Sequence, residues 1–511
     1  MLFSPGAIII TFANANAEPM KAEKKKAKWY GYLFRENIFG VGVQATIFAA
    51  GVVFTIVLPK LLGKDGFGYL SIAMGIVTLS SMVADLGLQF TALKFIPEGA
   101  KKGIAWKYFR AMLAWKLVLS FAAAVLLFLG ADFVASVYGL PALAGGTRLG
   151  ALYLFVYSLY TFVDCVFVGM KKAKNSFLMN VCYNAGRVVL PIGIFFAFRQ
   201  DYIGALAGVT AACGLAVMPG LFAALRDPLF RKEKDGKMDM PALKEYSFYA
   251  FVNYVALTTQ QWADTLLIGI FRPVSDVAVY RVAWLWATAT FFLSPFSSRV
   301  FASAHAYEDD ERSRKIFDMS LKYGFVFVFL MITGIMLVSE QFLVLIYGAD
   351  SGFGAAYPVL AILSLLALET SLTNLNASLL WGKGNIKAPT LLTAGAAVCQ
   401  ILALLALIPP YGIIGAAVAV AVVRVAGVFV QTLLALKHAN MKIPYGYVCG
   451  PVFCGLVTIA VLIPLKAYTF SWSMAVAYGV GCVAIYCLLA IAIRAVDVRG
   501  LIGIVRGAIS R

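Results

Sequence analysis

Ile203-Gly204-Ala205-Leu206-Ala207-Gly208 opens one apolar run of this 511-residue chain, and Ile414-Gly415-Ala416-Ala417-Val418-Ala419 opens another about 210 residues later. Three further landmarks recur in the same order at nearly the same offset. Gly68-Tyr69 is echoed by Val279-Tyr280, and Val137-Tyr138-Gly139 by Ile346-Tyr347-Gly348. Gly169-Met170-Lys171-Lys172-Ala173-Lys174 is echoed by Gly382-Lys383-Gly384-Asn385-Ile386-Lys387. Glycine and alanine are common here, so one pair carries little weight, but four in register point to a duplicated half. Repeated halves of apolar helices are a transporter architecture, with the substrate path between the halves.

Composition sets the solvent. Hydrophobic residues make up 61% of the chain and charged residues 13%, far from the balance of a water-soluble domain. About 20 mostly apolar residues cross a bilayer as a helix. About fourteen such runs follow one another: 37–58, 67–90, 106–129, 149–170, 176–198, 203–225, 246–270, 277–300, 321–342, 356–381, 388–408, 412–436, 446–465 and 472–493. They are continuous rather than alternating, which predicts helices and excludes a barrel. The expected fold is therefore an all-α integral membrane protein of about fourteen transmembrane helices. Six spans separate equivalent points of the repeat; an even number keeps the orientation, so the repeat is parallel. The reading gives an N-terminal segment, 1–29, a first lobe of helices 1–6, 30–225, and a linker, 226–245. A second lobe of helices 7–12, 246–437, precedes a final pair, helices 13–14, within 438–511.

The net charge of +18 is distributed in alternate gaps. One side takes Lys21 to Lys28, Lys94 to Lys107, Lys171 to Lys174, Arg226 to Lys244, Arg312 to Lys322, Lys383 with Lys387, Lys437 with Lys442, and Arg494 to Arg511. The other holds little beyond Lys60, Lys64, Arg148, Arg199, Arg272 and Lys466. The positive-inside rule predicts a cell-membrane protein with both termini in the cytoplasm, its basic loops against anionic headgroups. No single basic face forms, so nucleic acid is not an expected partner. Met20, directly before Lys21-Ala22-Glu23-Lys24-Lys25-Lys26, reads as a natural start, while Ala13-Asn14-Ala15-Asn16-Ala17 keeps a signal-like cleavage site as the other reading. Eight cysteines lie singly without CxxC spacing, and two distant histidines, His305 and His438, make no metal site. No cofactor is expected. The loops on the side poor in basic residues are all short, and no GxxxxGK[ST] phosphate loop is present. Neither an enzyme nor an ATPase is expected, which leaves a proton or sodium gradient, the substrate gradient or downstream consumption to drive transport.

Ionisable residues in mid-span are costly in hydrocarbon, and each is a functional candidate. Arg187 lies near the middle of the fifth span, with Asn180 and Asn184 on the same helical face and Pro191 one turn beyond. Lys116 lies in the third span, Arg281 in the eighth and Arg424 near the centre of the twelfth. Asp85, Asp164, Asp264 and Glu369 are acids within spans, candidates for gating or ion coupling. Any of them paired with one of the cations would instead be a buried ion pair that fixes packing, Arg281 with Asp264 among them. Gln260 and Gln261 are candidates for polar cavity contacts or for tying helices together. Gly204 and Gly208 form a small-xxx-small packing pattern, and the sequon Asn376-Ala377-Ser378 falls inside a span.

Leu61-Leu62-Gly63-Lys64-Asp65-Gly66-Phe67-Gly68-Tyr69, Ala84-Asp85-Leu86-Gly87-Leu88 and Lys94-Phe95-Ile96-Pro97-Glu98 resemble the opening of the Wzx-type polysaccharide flippases, part of the multidrug/oligosaccharidyl-lipid/polysaccharide exporter superfamily. Asp264-Thr265-Leu266-Leu267-Ile268-Gly269, Ile346-Tyr347-Gly348, Gly382-Lys383-Gly384 and Pro409-Pro410-Tyr411-Gly412-Ile413-Ile414-Gly415 resemble later landmarks of the same family. The resemblance implies movement of a polyprenyl-diphosphate-linked glycan from the cytoplasmic to the outer leaflet by alternating access. Membrane lipids and other glycan assembly proteins are the implied partners. A lipid diphosphate carries at least two negative charges through a region of low dielectric. Arg187, Arg424, Lys116 and Arg281 are the cations to meet it, since arginine binds phosphate oxygens bidentately and stays charged when buried. A cation-coupled drug or metabolite exporter of the same superfamily remains the alternative, and a membrane scaffold of a glycan assembly complex the alternative of another class.

Overall fold

A computed structural model describes residues 22–198, 200–227, 236–293, 310–382, 387–438, 445–464 and 472–493. Met20, His305, Lys383 to Asn385 and the basic tail from residue 494 lie outside the described residues. Every regular element among those described is helical. The first helices are α1 (Ala22–Asp85), α2 (Leu88–Lys102), α3 (Ala105–Leu129), α4 (Ala131–Tyr138), α5 (Leu143–Gly169), α6 (Ala173–Ala197), α7 (Tyr202–Leu225), α8 (Met240–Phe271) and α9 (Val274–Leu293). Then come α10 (Asp310–Tyr347), α11 (Tyr357–Leu363), α12 (Leu366–Gly382), α13 (Lys387–His438), α14 (Tyr445–Leu462) and α15 (Trp472–Ala492).

Helices and apolar runs do not correspond one to one, for local backbone reasons. α1 carries the first two runs and breaks at Gly63 (φ 66°, ψ −176°), a conformation open to glycine because it has no Cβ. α13 carries the eleventh and twelfth and breaks at Gly412 (φ 60°, ψ −138°), after Pro409 and Pro410. The tenth is bent by 46° between Phe353–Leu363 and Leu366–Thr373. The second run, expected to reach residue 90, stops at Asp85: Leu86 (φ 44°) and Gly87 (φ 78°) turn the chain into the separate helix α2. Segment 130–148, expected as an external loop, instead holds α4, closed by Gly139 in the left-handed region, and the first turns of α5. There Arg148 Nη2 donates to both Asp132 oxygens at 2.7 and 2.9 Å, but the side chains are 45% and 71% exposed. Arg148→Ala is expected to cost no more than about 1 kcal/mol, read as a melting temperature close to that of the parent.

The faces of α3 show which solvent the surface meets. Met112, Lys116, Ser120, Ala123 and Leu127 are buried, while Trp115, Val118, Phe121, Leu126 and Leu129 on the other side are 61–72% exposed. Lipid covers such a face; water would not. The protein is a multi-pass membrane protein, and in lipid close packing replaces the hydrophobic effect as the force between helices. Its α6–α7 contact shows this directly. A Cβ at Gly208 would lie 2.3 Å from Pro191 N, and one at Gly186 would lie 2.9 Å from Ala212 Cβ. α6 runs unbroken through Pro191, whose backbone meets the glycine of α7.

The chain divides into two compact units, Met1–Ala278 and Val279–Arg511. The first takes in α8, beyond the linker at which the sequence repeat ends its first lobe. Ser81 Oγ and Tyr254 OH are hydrogen-bonded at 3.1 Å, Ser247 Oγ donates to the Leu86 carbonyl at 2.8 Å, and Gly87 lies against the α8 backbone. A repeat records chain order, whereas these contacts record neighbours. In the second unit Leu321, Phe325, Val328 and Ile332 of α10 form a core with Ala367, Leu368 and Leu372 of α12 and Val428 and Leu436 of α13. The final pair, which has no counterpart in the repeat, packs on α10: Leu337 meets Leu462, Tyr478 and Cys482, and Tyr486 OH donates to the Val326 carbonyl at 2.9 Å.

Candidate functional site

In the first unit the polar residues of α5 and α6 converge. Tyr153, Tyr157, Tyr160 and Asp164 recur at steps of four, three and four along α5, and Ser176, Asn180, Asn184 and Arg187 at steps of four, four and three along α6, with Tyr183 beside Asn184. Such steps place each set on one helical face. Asp164 Oδ1 accepts from Ser176 Oγ at 2.5 Å and from Asn180 Nδ2 at 2.9 Å. Asn180 Oδ1 in turn accepts from Tyr160 OH at 2.9 Å, and the Tyr153 and Tyr183 hydroxyls are 2.9 Å apart. The rings pack together, Tyr153 and Tyr157 stacked with centroids 5.3 Å apart and Tyr160 and Tyr183 tilted at 4.8 Å. Arg187 is only 4% exposed. Its guanidinium lies 5.7 Å from the centre of the Tyr183 ring, and its Nη2 donates to the Ile47 carbonyl of α1 at 3.4 Å. The arrangement holds a permanently charged donor fork beside amides and phenols, groups suited to phosphate oxygens and sugar hydroxyls.

The other cations have different settings. Lys116 on α3 forms a buried ion pair with Asp85 at the end of α1. Arg424 on α13 lies 3.2 Å from Glu369 Oε2 of α12 and donates from Nε to Gln400 Oε1 at 3.3 Å. Both are ion pairs between a cation and an acid that the sequence placed within spans. Arg281, 4% exposed, lies over the Trp284 ring at 4.1 Å. It belongs to the second unit, whereas Asp264 belongs to the first, fully buried and accepting from the Thr265 backbone N–H at 2.6 Å. Gln260 is buried on α8 and Gln261 half-buried beside it. Asn376, 0% exposed, donates to Thr432 Oγ1 at 2.9 Å, which removes it as a glycosylation acceptor. All eight cysteines are free, and among the described residues no group of His, Cys, Asp and Glu is placed to hold a metal ion.

The sequence reading found Asn180, Asn184 and Arg187 but not the tyrosines. Their signal was available as the 153-157-160 spacing, one helical stripe leading to Asp164. In a chain so rich in aromatic residues that stripe is indistinguishable from ordinary packing until α6 is seen against it.

The fold is that of the multi-pass helical transporters. Lipid II flippase MurJ in an inward closed conformation superposes with a TM-score of 0.73 at 13% identity, over 90% of this chain and 99% of that one. An inward-facing multidrug resistance MATE family transporter gives 0.58 at 16% identity, over 79% and 94%. The model of the polysaccharide biosynthesis protein family matches residues 35–302, more than half of the chain, and the chain belongs to that family. A relative from Haloferax volcanii, named "Probable low-salt glycan biosynthesis flippase Agl15", is 22% identical over 459 residues, 85% of this chain and 88% of that protein.

Proposed function

We propose that this protein is a flippase that carries a polyprenyl-diphosphate-linked oligosaccharide from the cytoplasmic to the outer leaflet by alternating access, in the making of cell-surface polysaccharide. The observation that carries the reading is similarity along nearly the whole chain to a glycan biosynthesis flippase, in a fold nearer to MurJ than to the MATE transporter. The buried cation among tyrosines and asparagines on α5 and α6 supports an anionic, sugar-bearing headgroup as cargo. The protein transports rather than catalyses, draws on an ion gradient, and sits in the cell membrane with both termini cytoplasmic, a placement the alternating basic gaps support. Other glycan assembly proteins supply the cargo and consume it.

The test is transbilayer movement of a fluorescent polyprenyl-diphosphate sugar in liposomes holding only this protein. Movement above empty liposomes is expected; none, from folded protein, would return the reading to a scaffold. Arg187→Ala, at equal abundance, is expected to slow flipping by about 10- to 100-fold, the worth of about 1.5–3 kcal/mol for hydrogen bonds to a charged group. A wild-type rate would remove Arg187 from the headgroup site. The MATE likeness favours a second reading, export of a cationic small molecule dependent on a buried acid. Loss of cationic-dye efflux in Glu369→Gln would establish it.

A further inference from the structure

A polar seam runs between α12 and the second half of α13, within the second unit. Glu369-Thr370-Ser371-Leu372-Thr373-Asn374-Leu375-Asn376 carries hydroxyls, amides and one carboxylate in the middle of an apolar span. Glu369 and Asn376, seven residues apart, share a face of α12, and Arg424 and Thr432, eight apart, share a face of α13. The two faces meet twice. Arg424 Nη1 donates to Glu369 Oε2 at 3.2 Å, and Asn376 Nδ2 donates to Thr432 Oγ1 at 2.9 Å. The second contact fixes the amide. Thr432 Oγ1 gives its own proton to the Val428 carbonyl at 2.8 Å, so towards Asn376 it only accepts, and Asn376 presents its nitrogen. Asn376 Oδ1 is then buried without a hydrogen-bond partner among the described residues. An acceptor in that state is costly, and a donor is what it lacks. At its other end the seam opens. The Glu369 side chain is 21% exposed, its Oε1 accepts no hydrogen bond from the described residues, and Thr370 and Thr373 are half-buried. A carboxylate turned to hydrocarbon is expensive, so this edge meets a polar space.

We propose that this seam is a carbohydrate site, in which hydroxyls of an oligosaccharide donate to Asn376 Oδ1 and to Glu369 Oε1. Both open positions are acceptors, so their ligand must donate, and phosphate oxygens do not. An ammonium donates too, but Arg424 already stands beside Glu369 and balances its charge. Neutral hydroxyls remain. The repeat agrees. Gly169 and Gly382 are 213 residues apart, and the same step takes Arg187 to Gln400, so an amide stands in the second half where the first has its cation. Gln400 Oε1 accepts from Arg424 Nε at 3.3 Å, and the guanidinium is thereby held between amide and carboxylate. Seven residues of helix separate the two acceptors by about 10 Å, which calls for an extended oligosaccharide and not one ring hydroxyl. Glu369 is the entrance, and Asn376, 0% exposed, is the inner end, closed in this conformation. The cargo in this proposal rests on the flippase reading; the demand for a neutral donor does not.

The test is binding, to the protein in lipid nanodiscs, of two fluorescent probes: polyprenyl diphosphate bare, and the same lipid bearing a neutral oligosaccharide. The wild type is expected to hold the glycosylated lipid about 10-fold more tightly, the worth of one or two hydrogen bonds. That ratio is expected to fall to about one in Asn376→Ala and in Glu369→Gln. Asn376→Leu with Thr432→Val removes the orphan oxygen together with the bond beside it, and keeps the test open should Asn376→Ala fail to fold; it too is expected to lose the preference. A preference that survives in the folded variants would overturn the proposal and leave the seam as a tie between helices. Equal affinity of the wild type for the two lipids would also overturn it. So would a water molecule on Asn376 Oδ1 in a structure of the glycosylated complex. With both lipids bound, each of these results removes the sugar site and leaves the flippase reading standing. Binding of neither lipid by folded wild type would overturn the flippase reading, and this cargo with it.

Discussion

Gly208→Val is expected to leave little folded protein, with a melting temperature in mild detergent far below that of the parent. The reason is the nature of the obstacle. The Cβ would stand 2.3 Å from Pro191 N and 2.4 Å from Pro191 Cα, atoms of a backbone that cannot rotate aside. α6 and α7 would have to separate along an interface that also includes Gly186 against Ala212. Overpacking costs about 1–3 kcal/mol where side chains can yield and more where they cannot, so the upper end applies. In a bilayer the loss is not offset by hydrophobic association, because lipid is as apolar as the side chains. The displaced helix is the one that carries Arg187, so flipping is expected to fall with the fold. Gly214 on α7, the helix of Gly208, with open space about its Cβ, supplies the control: Gly214→Ala is expected to be tolerated, and equal damage from both would refute the contact as the cause.

Asp85→Leu is expected to cost about 3–5 kcal/mol, because it leaves the Lys116 ammonium buried without its counter-ion. Asp85→Leu with Lys116→Met is expected to recover most of that loss. Removing both members of a buried pair removes two desolvation penalties along with one attraction, and such replacements are often neutral. The measurement is a double-mutant cycle on thermal unfolding in lipid nanodiscs. A double variant no better than the worse single one would show that the side chains matter for shape and not for charge.

Much of the architecture is legible in the chain itself. Apolar runs of about 20 residues can only be helices in a bilayer, since each backbone group must find its partner within the segment. The family resemblance carried by Gly63 to Tyr69 and by Ile346-Tyr347-Gly348 is matched by the family assignment and by the fold. Where the helices break was only half legible. Gly412 follows Pro409 and Pro410 and announces itself, but Leu86 is not a residue that asks for positive φ. The bond from Ser247 to its carbonyl and the packing of Gly87 on α8, about 160 residues away in sequence, hold it there.

The candidate site divides in the same way. That Arg187, Lys116, Arg281 and Arg424 sit where charge is expensive was plain from the sequence, because hydropathy is a local property and a cation in an apolar run stands out. Which of them meets a carboxylate is a matter of distance between helices, and that is settled by packing. Lys116 and Asp85 are 31 residues apart, and Arg424 and Glu369 are 55 apart; no periodicity links the members of either pair. The tyrosines about Arg187 likewise became a site only when α5 and α6 brought two separate stripes face to face. The sequence by itself determined the solvent, the helical class and the family, because each follows from local composition and order. The tertiary structure alone decided which buried charges neutralise one another and that, among the described residues, the side-chain oxygen of Asn376 is left without a donor, because those depend on the meeting of helices that the chain keeps far apart.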